Sequence, residues 1–398
     1  MISVEEARAR ILAALKPVPV EMVGLAQAHG RVLAKPVVAR FTVPPANLSA
    51  MDGYAVRADD TRAGARLRVT GQAAAGHPFA GGVGGGEAVR IFTGSVLPAG
   101  ADAVLIQENT LVEGEDILVN EPVGAGRHIR RAGQDFVAGD EVLPAGQRLS
   151  ARDIGVAAAA GHPWLCVHRR PRIAILCTGD EIALPGEPVP EGGIVNANAG
   201  LLAAFVSAWG GEALLLPIAR DTEDAVALGA AEARGADLLV TTGGASVGAH
   251  DLVLAGLKCQ GFALDFWKIA MRPGKPLIFG AIDGLPVLGL PGNPVSAYVC
   301  AVLFLAGAMD LLGGVPTAGP VLEQARLGVP MKANDRREDY VRAHLVYDGA
   351  GWVATPLRVQ DSGMLLALAG AQALIRRPAH APAAEAGENV EILRLGMA

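Results

Sequence analysis

The sequence predicts a multidomain protein of the α/β plus β class: a doubly wound α/β domain, a β-rich second domain, a helical and extended connecting module, and a C-terminal β-barrel-like domain. Three observations carry that expectation. The 398 residues exceed what one hydrophobic core usually supports. From Arg172 onward, apolar runs alternate with helical stretches, the pattern of a parallel sheet with crossover helices. Residues 44–136 and 339–357 instead carry short runs between glycine and proline, without helical periodicity. The expected boundaries are 1–43 with 138–170 for a discontinuous connecting domain, 44–137 for the β-rich domain, 171–317 for the α/β domain and 318–398 for the C-terminal β domain.

At the start of the chain, Ser3 and Glu6 have capping-box spacing, and Val4, Ala7, Ile11 and Leu15 make one apolar helical face. Glu5, Glu6, Arg8 and Arg10 fall where a signal peptide would be apolar, so an ordinary helix and a cytoplasmic protein are expected. Within 44–137 the glycine cluster 81–86 separates strand-like runs. Ser150 and Asp153 then cap a helix that Gly161 stops. The α/β region follows with a strand over Arg172–Cys177, a helix over 199–209, a strand over 212–216, a helix over 222–234 and a strand over 237–242. A further strand, Leu285–Leu290, runs into Pro291-Gly292-Asn293-Pro294, where Asn293 can cap a helix and Pro294 can occupy its first position. The apolar run 295–309 is shorter than a membrane span and ends at Asp310, which predicts a buried core helix and no membrane association. Residues 339–357 read as two strands around a glycine-containing turn.

The formal charge of −6 argues against non-specific nucleic-acid binding, which needs a basic footprint to displace counterions. Cys166, Cys177, Cys259 and Cys300 lack metal-finger or C-x-x-C spacing and are expected to be reduced core residues.

Four segments can carry chemistry. Residues 239–251 form an apolar strand running into a loop with Gly243, Gly244 and Gly248, whose backbone N–H groups can face a phosphate; a tight strand-to-helix turn fits the same residues. The loop lacks the lysine of a nucleotide-binding P-loop and the spacing of a dinucleotide fingerprint. Asp180 and Glu181 follow the first strand of the sheet, Asp221 the second and Asp251 the third, where open α/β sheets bind ligands. Such carboxylates suit magnesium, and solvated loop acids are the plainer alternative. Lys268, Arg272 and Lys275 surround a proline-stiffened turn and would balance an anionic substrate, or simply face solvent. Asp52 precedes Gly53 in a turn that needs no function to explain it.

In chain order the sequence reads S-A-M-D-G-Y-A-V from Ser49, R-I-F-T-G-S-V-L-P-A-G-A-D-A-V from Arg90, T-G-D-E from Thr178, G-G-A-S-V-G from Gly243, P-G-K-P from Pro273 and L-P-G-N-P-V-S-A from Leu290. This order resembles the molybdopterin molybdenumtransferase family and is similar to the C-terminal domain of gephyrin, over nearly the whole chain. The resemblance implies insertion of molybdate into adenylylated molybdopterin with release of AMP, a magnesium cofactor, and a homodimer with its active site at the subunit interface. It implies catalytic roles for Asp52, Thr93, Asp135, Glu181, Asp221 and Asp251, with the last three also as metal ligands. Substrate contacts would come from Gly243, Gly244, Ser246 and Gly248, from Lys268, Arg272 and Lys275, from Pro291 and Asn293, and from Arg337, Arg342 and Ser362. Transient contact with molybdopterin adenylyltransferase and with recipient molybdoenzymes is also implied. Arg272 stands where the family commonly has lysine, Gln134 where it has glutamate, and Asn196-Ala197 where it has an aspartate and a small hydroxyl residue. In the tail, Ala371-Gln372-Ala373 replaces the family's A-N-G. Two other activities remain open for such a chain: a molybdopterin adenylyltransferase, because that enzyme shares the α/β domain, and a non-catalytic pterin-binding scaffold.

Overall fold

The computed structural model describes residues 1–243, 249–317 and 319–395, with the side chains of 249–251 outside that description. These residues form two compact units, one of 1–21, 30–34 and 166–398, the other of 22–29 and 35–165.

The core of the first unit is a six-stranded sheet ordered Glu212–Leu215, Arg172–Cys177, Leu238–Thr242, Leu285–Leu290, Ile278–Ile282 and Ala263–Trp267. Alternation along Arg172–Cys177 explains its two covered faces. Ile173, Ile175 and Cys177 point into one core with helices Ala197–Ala208 and Pro294–Leu312, whereas Ala174 and Leu176 enter a second core with helix Glu223–Glu232. Helices therefore cover both faces, as expected of a doubly wound domain.

The first four strands are parallel, and the sheet as a whole is mixed. Asp283 and Gly284, both at positive φ (46° and 86°), form a two-residue hairpin turn that sends Ile278–Ile282 antiparallel to Leu285–Leu290. Helix Pro294–Leu312 is long and apolar enough to cross a membrane, but 78% of its most apolar window is buried inside the protein. It shares its core with Val4, Ala7, Ile11 and Leu15 of the N-terminal helix Val4–Ala13 and its flank. Ser3 caps that helix by accepting from the Glu6 N–H. Burying one isoleucine or leucine contributes ~1.5–3 kcal/mol, against ~0.5–2 for a cap, so the apolar face decides where this helix docks.

In the C-terminal region, Glu338–Tyr347, Trp352–Pro356, Glu323–Leu327, Asn389–Arg394 and Ala373–Arg377 pair in that order, and the last pairs back to the first to close a five-stranded barrel. Closure removes the exposed edges of so small a sheet. The cysteines correct one expectation: Cys177 and Cys300 are buried, but Cys166 is half-buried and Cys259 is exposed at the end of its helix.

The second unit contains a six-stranded sheet ordered Ala103–Ile106, Gly53–Val56, Glu87–Ile91, Arg66–Ala73, Asp116–Val119 and Thr110–Glu113. The expected cap is present as a full capping box, with Ser150 accepting from Asp153 and Asp153 from Ser150, at the start of helix Ala151–Ala159. Gly53 opens the strand that carries the S-A-M-D-G-Y-A-V motif, and a Cβ there would lie 2.1 Å from the Leu105 carbonyl oxygen. Because a backbone atom blocks it, Gly53→Ala is expected to destabilise this unit by about 1–3 kcal/mol in urea unfolding. An unchanged midpoint would contradict the close approach.

Candidate functional site

The carboxyl ends of Arg172–Cys177, Leu238–Thr242 and Leu285–Leu290 surround a cavity of about 480 Å³ in the first unit. Its size falls within the roughly 300–1,000 Å³ of small-molecule sites. Two glycines let the strand ends approach. A Cβ on Gly243, whose φ is 117°, would lie 2.1 Å from the Thr178 carbonyl oxygen, and one on Gly292 would lie 3.3 Å from the Gly243 Cα.

Asn198, in the first turn of helix Ala197–Ala208, ties these ends together. Its Nδ2 donates to Thr242 Oγ1 (2.9 Å) and to the Gly292 carbonyl (2.7 Å), while Thr242 Oγ1 donates to the Pro291 carbonyl (3.1 Å). Asn196 caps the same helix by accepting from the Ala199 N–H at 3.1 Å, so this departure from the family's aspartate retains the capping oxygen. Two buried oxygens in the lining, Thr178 Oγ1 and Asn198 Oδ1, have no hydrogen-bond partner among the described residues. Buried polar atoms are ordinarily paired, which makes these two exceptions beside the cavity.

Glu181 and Asp221 also line the cavity, and the Asp221 N–H donates to Asp180 Oδ1 at 3.4 Å. Burial raises the Asp221 pKa, and the negative charges of Glu181 and Asp180 raise it further, against a hydrogen bond from the Asp180 backbone that lowers it. Among the described residues no three His, Cys, Asp or Glu side chains form a ready metal cage. The carboxylates in the lining are nonetheless hard oxygen donors of the kind that magnesium takes one or two at a time. Asp251 lies on helix Ala249–Cys259, but its side chain is outside the described set, as are Gly244, Ser246 and Gly248.

The other expected contacts are distributed. Pro291 and Asn293 line the cavity. Asn293 holds the N-cap position without a side-chain capping bond; its Nδ2 donates instead to Ser362 Oγ at 2.9 Å. Arg342 is 1% exposed and donates to the Asp361, Val359 and Met364 carbonyls at 2.9, 3.4 and 3.4 Å, bracing the loop that carries Ser362. Burial lowers its pKa. Arg272 is paired with Asp339 (2.9 Å) and Asp335 (3.1 Å), and Arg337 reaches Asp335 at 3.5 Å. Lys268, at a φ of 73°, holds its ammonium 3.6 Å from the Trp267 ring centroid. Lys275 is exposed beside the lining residue Pro276.

In the second unit, Asp52 Oδ1 accepts from the Thr93 N–H (2.8 Å) and the Thr93 hydroxyl (2.9 Å). The Thr93 backbone bond, then its hydroxyl, hold the Asp52 pKa below the usual carboxylate value, with a smaller contribution from Arg90. Asp135 is exposed, and its N–H donates to the Val43 carbonyl at 3.0 Å. Thr178, Asn198 and Cys177 also line the cavity and were not singled out by sequence reasoning. Thr178 opens the T-G-D-E motif and Asn198 follows Asn196-Ala197, but neutral side chains give no charge signal to find them by. The Cys177 pKa is raised by burial, which an Asn196 hydrogen bond partly offsets, so the thiol form dominates.

The chain is similar to known proteins over most of its length. The family described as "MoeA N-terminal region (domain I and II)" matches residues 2–161, "Probable molybdopterin binding domain" matches 174–310, and "MoeA C-terminal region (domain IV)" matches 324–395. These regions tile a chain built around an α/β domain of the molybdopterin-binding type. The molybdopterin molybdenumtransferase of a Nostoc species is 35% identical over 387 residues, 94% of this chain and 88% of that protein. That of Haemophilus influenzae is 37% identical over 303 residues, 75% of this chain and 74% of its own. A crystal structure of the molybdopterin biosynthesis moeA protein from Pyrococcus horikoshii superposes with a TM-score of 0.86 at 28% identity, covering 99% of this chain and 100% of that one. The chain belongs to the molybdopterin molybdenumtransferase family.

The brace around Ser362 has a measurable consequence. Arg342→Met would remove the side-chain donor from three carbonyls, of which Asp361 and Met364 keep a backbone donor and Val359 keeps none among the described residues, and is expected to cost about 1–3 kcal/mol in chemical unfolding. Amide exchange over 359–364 should accelerate at the same time; unchanged exchange would show that the loop holds itself.

Proposed function

We propose that the cavity at the strand ends binds adenylylated molybdopterin and that the protein inserts molybdate into it with release of AMP. One observation carries this reading: a single cavity at the strand ends is lined both by the carboxylate residues Glu181 and Asp221 and by the neutral hydrogen-bonding residues Thr178, Asn196 and Asn198. The first surface suits a hydrated cation beside phosphates, and the second suits the N–H edge of a flat heterocycle. The pterin dithiolene supplies the soft sulfur ligands molybdenum needs, so no thiolate cluster is required of the protein.

Glu181 and Asp221 would hold magnesium, with Asp251 as a further proposed ligand; when bound, the ion would offset negative charge on the anhydride phosphates. Glu181 orders the water or molybdate oxygen that attacks phosphorus. The bond from that phosphorus to the bridging oxygen breaks, the electron pair leaves with AMP, and the proton of an attacking water passes to solvent. As the two dithiolene sulfurs bond to molybdenum, one molybdate oxygen leaves as water with the two thiol protons. Lys268 and Lys275 offset the substrate's remaining negative charge. Gly243 and the following residues 244–248 supply backbone N–H groups to phosphate oxygens. Asp52, Thr93 and Asp135 complete the proposed catalytic set, in a homodimer whose sites form between subunits. Transient contact with molybdopterin adenylyltransferase and recipient molybdoenzymes belongs to the same reading. The cytoplasm is the proposed compartment, and the four free cysteines suit its reducing conditions.

Glu181→Gln is expected to lower molybdate-dependent AMP release about a hundredfold or more. Undiminished turnover would remove Glu181 from the reaction. Protons and magnesium compete for Asp221, whose pKa is raised, so calorimetric magnesium affinity should begin to fall at a higher pH than an ordinary aspartate would give. Asp221→Asn should abolish that dependence, and affinity indifferent to both would rule out Asp221 as a ligand.

A further inference from the structure

We propose that Arg90 is a positioning residue for the Asp52–Thr93 pair, holding the turn that presents the Asp52 carboxylate. The proposal rests on the reading of Asp52 and Thr93 as part of the reaction, and the structure of the second unit supplies its geometry. Strand Glu87–Ile91 runs antiparallel to Gly53–Val56, with Arg90 directly opposite Tyr54. The Arg90 guanidinium lies over the Tyr54 ring at 5.1 Å and over the Phe92 ring at 4.9 Å. One terminal nitrogen donates to the Gly53 carbonyl (3.2 Å) and the other to Gln107 Oε1 (2.6 Å). Gln107 in turn donates its backbone N–H to the Asp52 carbonyl at 3.3 Å.

These contacts close a ring. The carbonyls of Asp52 and Gly53 are each held, one by Gln107 and one by Arg90, and Arg90 holds Gln107. Thr93 follows the same strand by two residues, so the element that positions Arg90 also delivers both donors to Asp52 Oδ1. Asp52 Oδ2 accepts none of these bonds and is the oxygen presented for chemistry. Arginine suits the task because a planar fork reaches two acceptors while resting on aromatic faces, which a lysine ammonium cannot do. Its terminal nitrogens are committed to protein acceptors, which makes bracing rather than substrate binding its role. The guanidinium also favours the ionised form of Asp52, a smaller effect than that of the Thr93 bonds.

The test uses the full-length protein and three variants. Arg90→Gln should raise the Asp52 pKa, read by carbon NMR of labelled aspartate, and should lower kcat for AMP release about tenfold through misplacement, with KM for the adenylylated pterin little changed. Arg90→Lys should restore the Asp52 titration, because the charge returns, but leave kcat low, because the two-acceptor brace does not. Gln107→Ala keeps the charge and breaks the ring, so kcat should fall with the Asp52 titration unmoved; it also serves if an Arg90 variant fails to fold. Full rescue of kcat by lysine, or an unchanged kcat in Gln107→Ala, would overturn the bracing role. An Asp52 titration unmoved in Arg90→Gln would overturn the electrostatic one. Absence of AMP release by the wild-type protein would instead defeat the proposed reaction, while the Asp52 titration would still report on Arg90.

Discussion

The first unit depends on how closely three parallel strand ends approach. Gly243 and Gly292 remove the side chains that would keep Thr178 and the following turns apart, and Asn198 spends both amide hydrogens tying Thr242 to Gly292. Each bond satisfies a backbone or hydroxyl oxygen that would otherwise be buried without a donor, at a penalty of ~1–3 kcal/mol each. The same closure leaves Asn198 Oδ1 and Thr178 Oγ1 buried without a hydrogen-bond partner among the described residues. Fold and cavity are thus consequences of one set of contacts, and the carboxylates line the cavity because the loops after successive parallel strands emerge on one side.

Much of this was legible in the sequence where the signal is local. The N-terminal face of Val4, Ala7, Ile11 and Leu15, the Ser150–Asp153 cap and the strand into Pro291-Gly292-Asn293-Pro294 are short-range patterns, and the structure has each of them. The antiparallel edge of the sheet was missed although Asp283-Gly284 is a recognisable hairpin signal, because an alternation of strands and helices was extended over the whole region. Cys259 was misjudged because an apolar residue type says nothing about which side of a helix it occupies.

The functional residues divide along the same line. Glu181, Asp221, Gly243, Pro291 and Asn293 were expected near one another and line one cavity. Charge alone was a poorer guide to the arginines. Arg272 is neutralised by Asp335 and Asp339, and Arg342 is consumed by three carbonyls, so neither cation can be counted as free for an anion. Partners distant in sequence decide what a charge does, and a linear pattern does not list them. Asn198 and Thr178 were overlooked for the complementary reason: an uncharged amide and a hydroxyl become conspicuous only when burial leaves an oxygen unpaired.

The central claim is that the cavity between the strand ends is the place where the adenylylated pterin sits. A crystal structure with a hydrolysis-resistant adenylyl–molybdopterin analogue tests it most directly. The account predicts phosphates beside Glu181 and Asp221 and a heterocycle edge beside Asn198 and Thr178. An analogue bound with full occupancy elsewhere, and this cavity filled only by water, would contradict it.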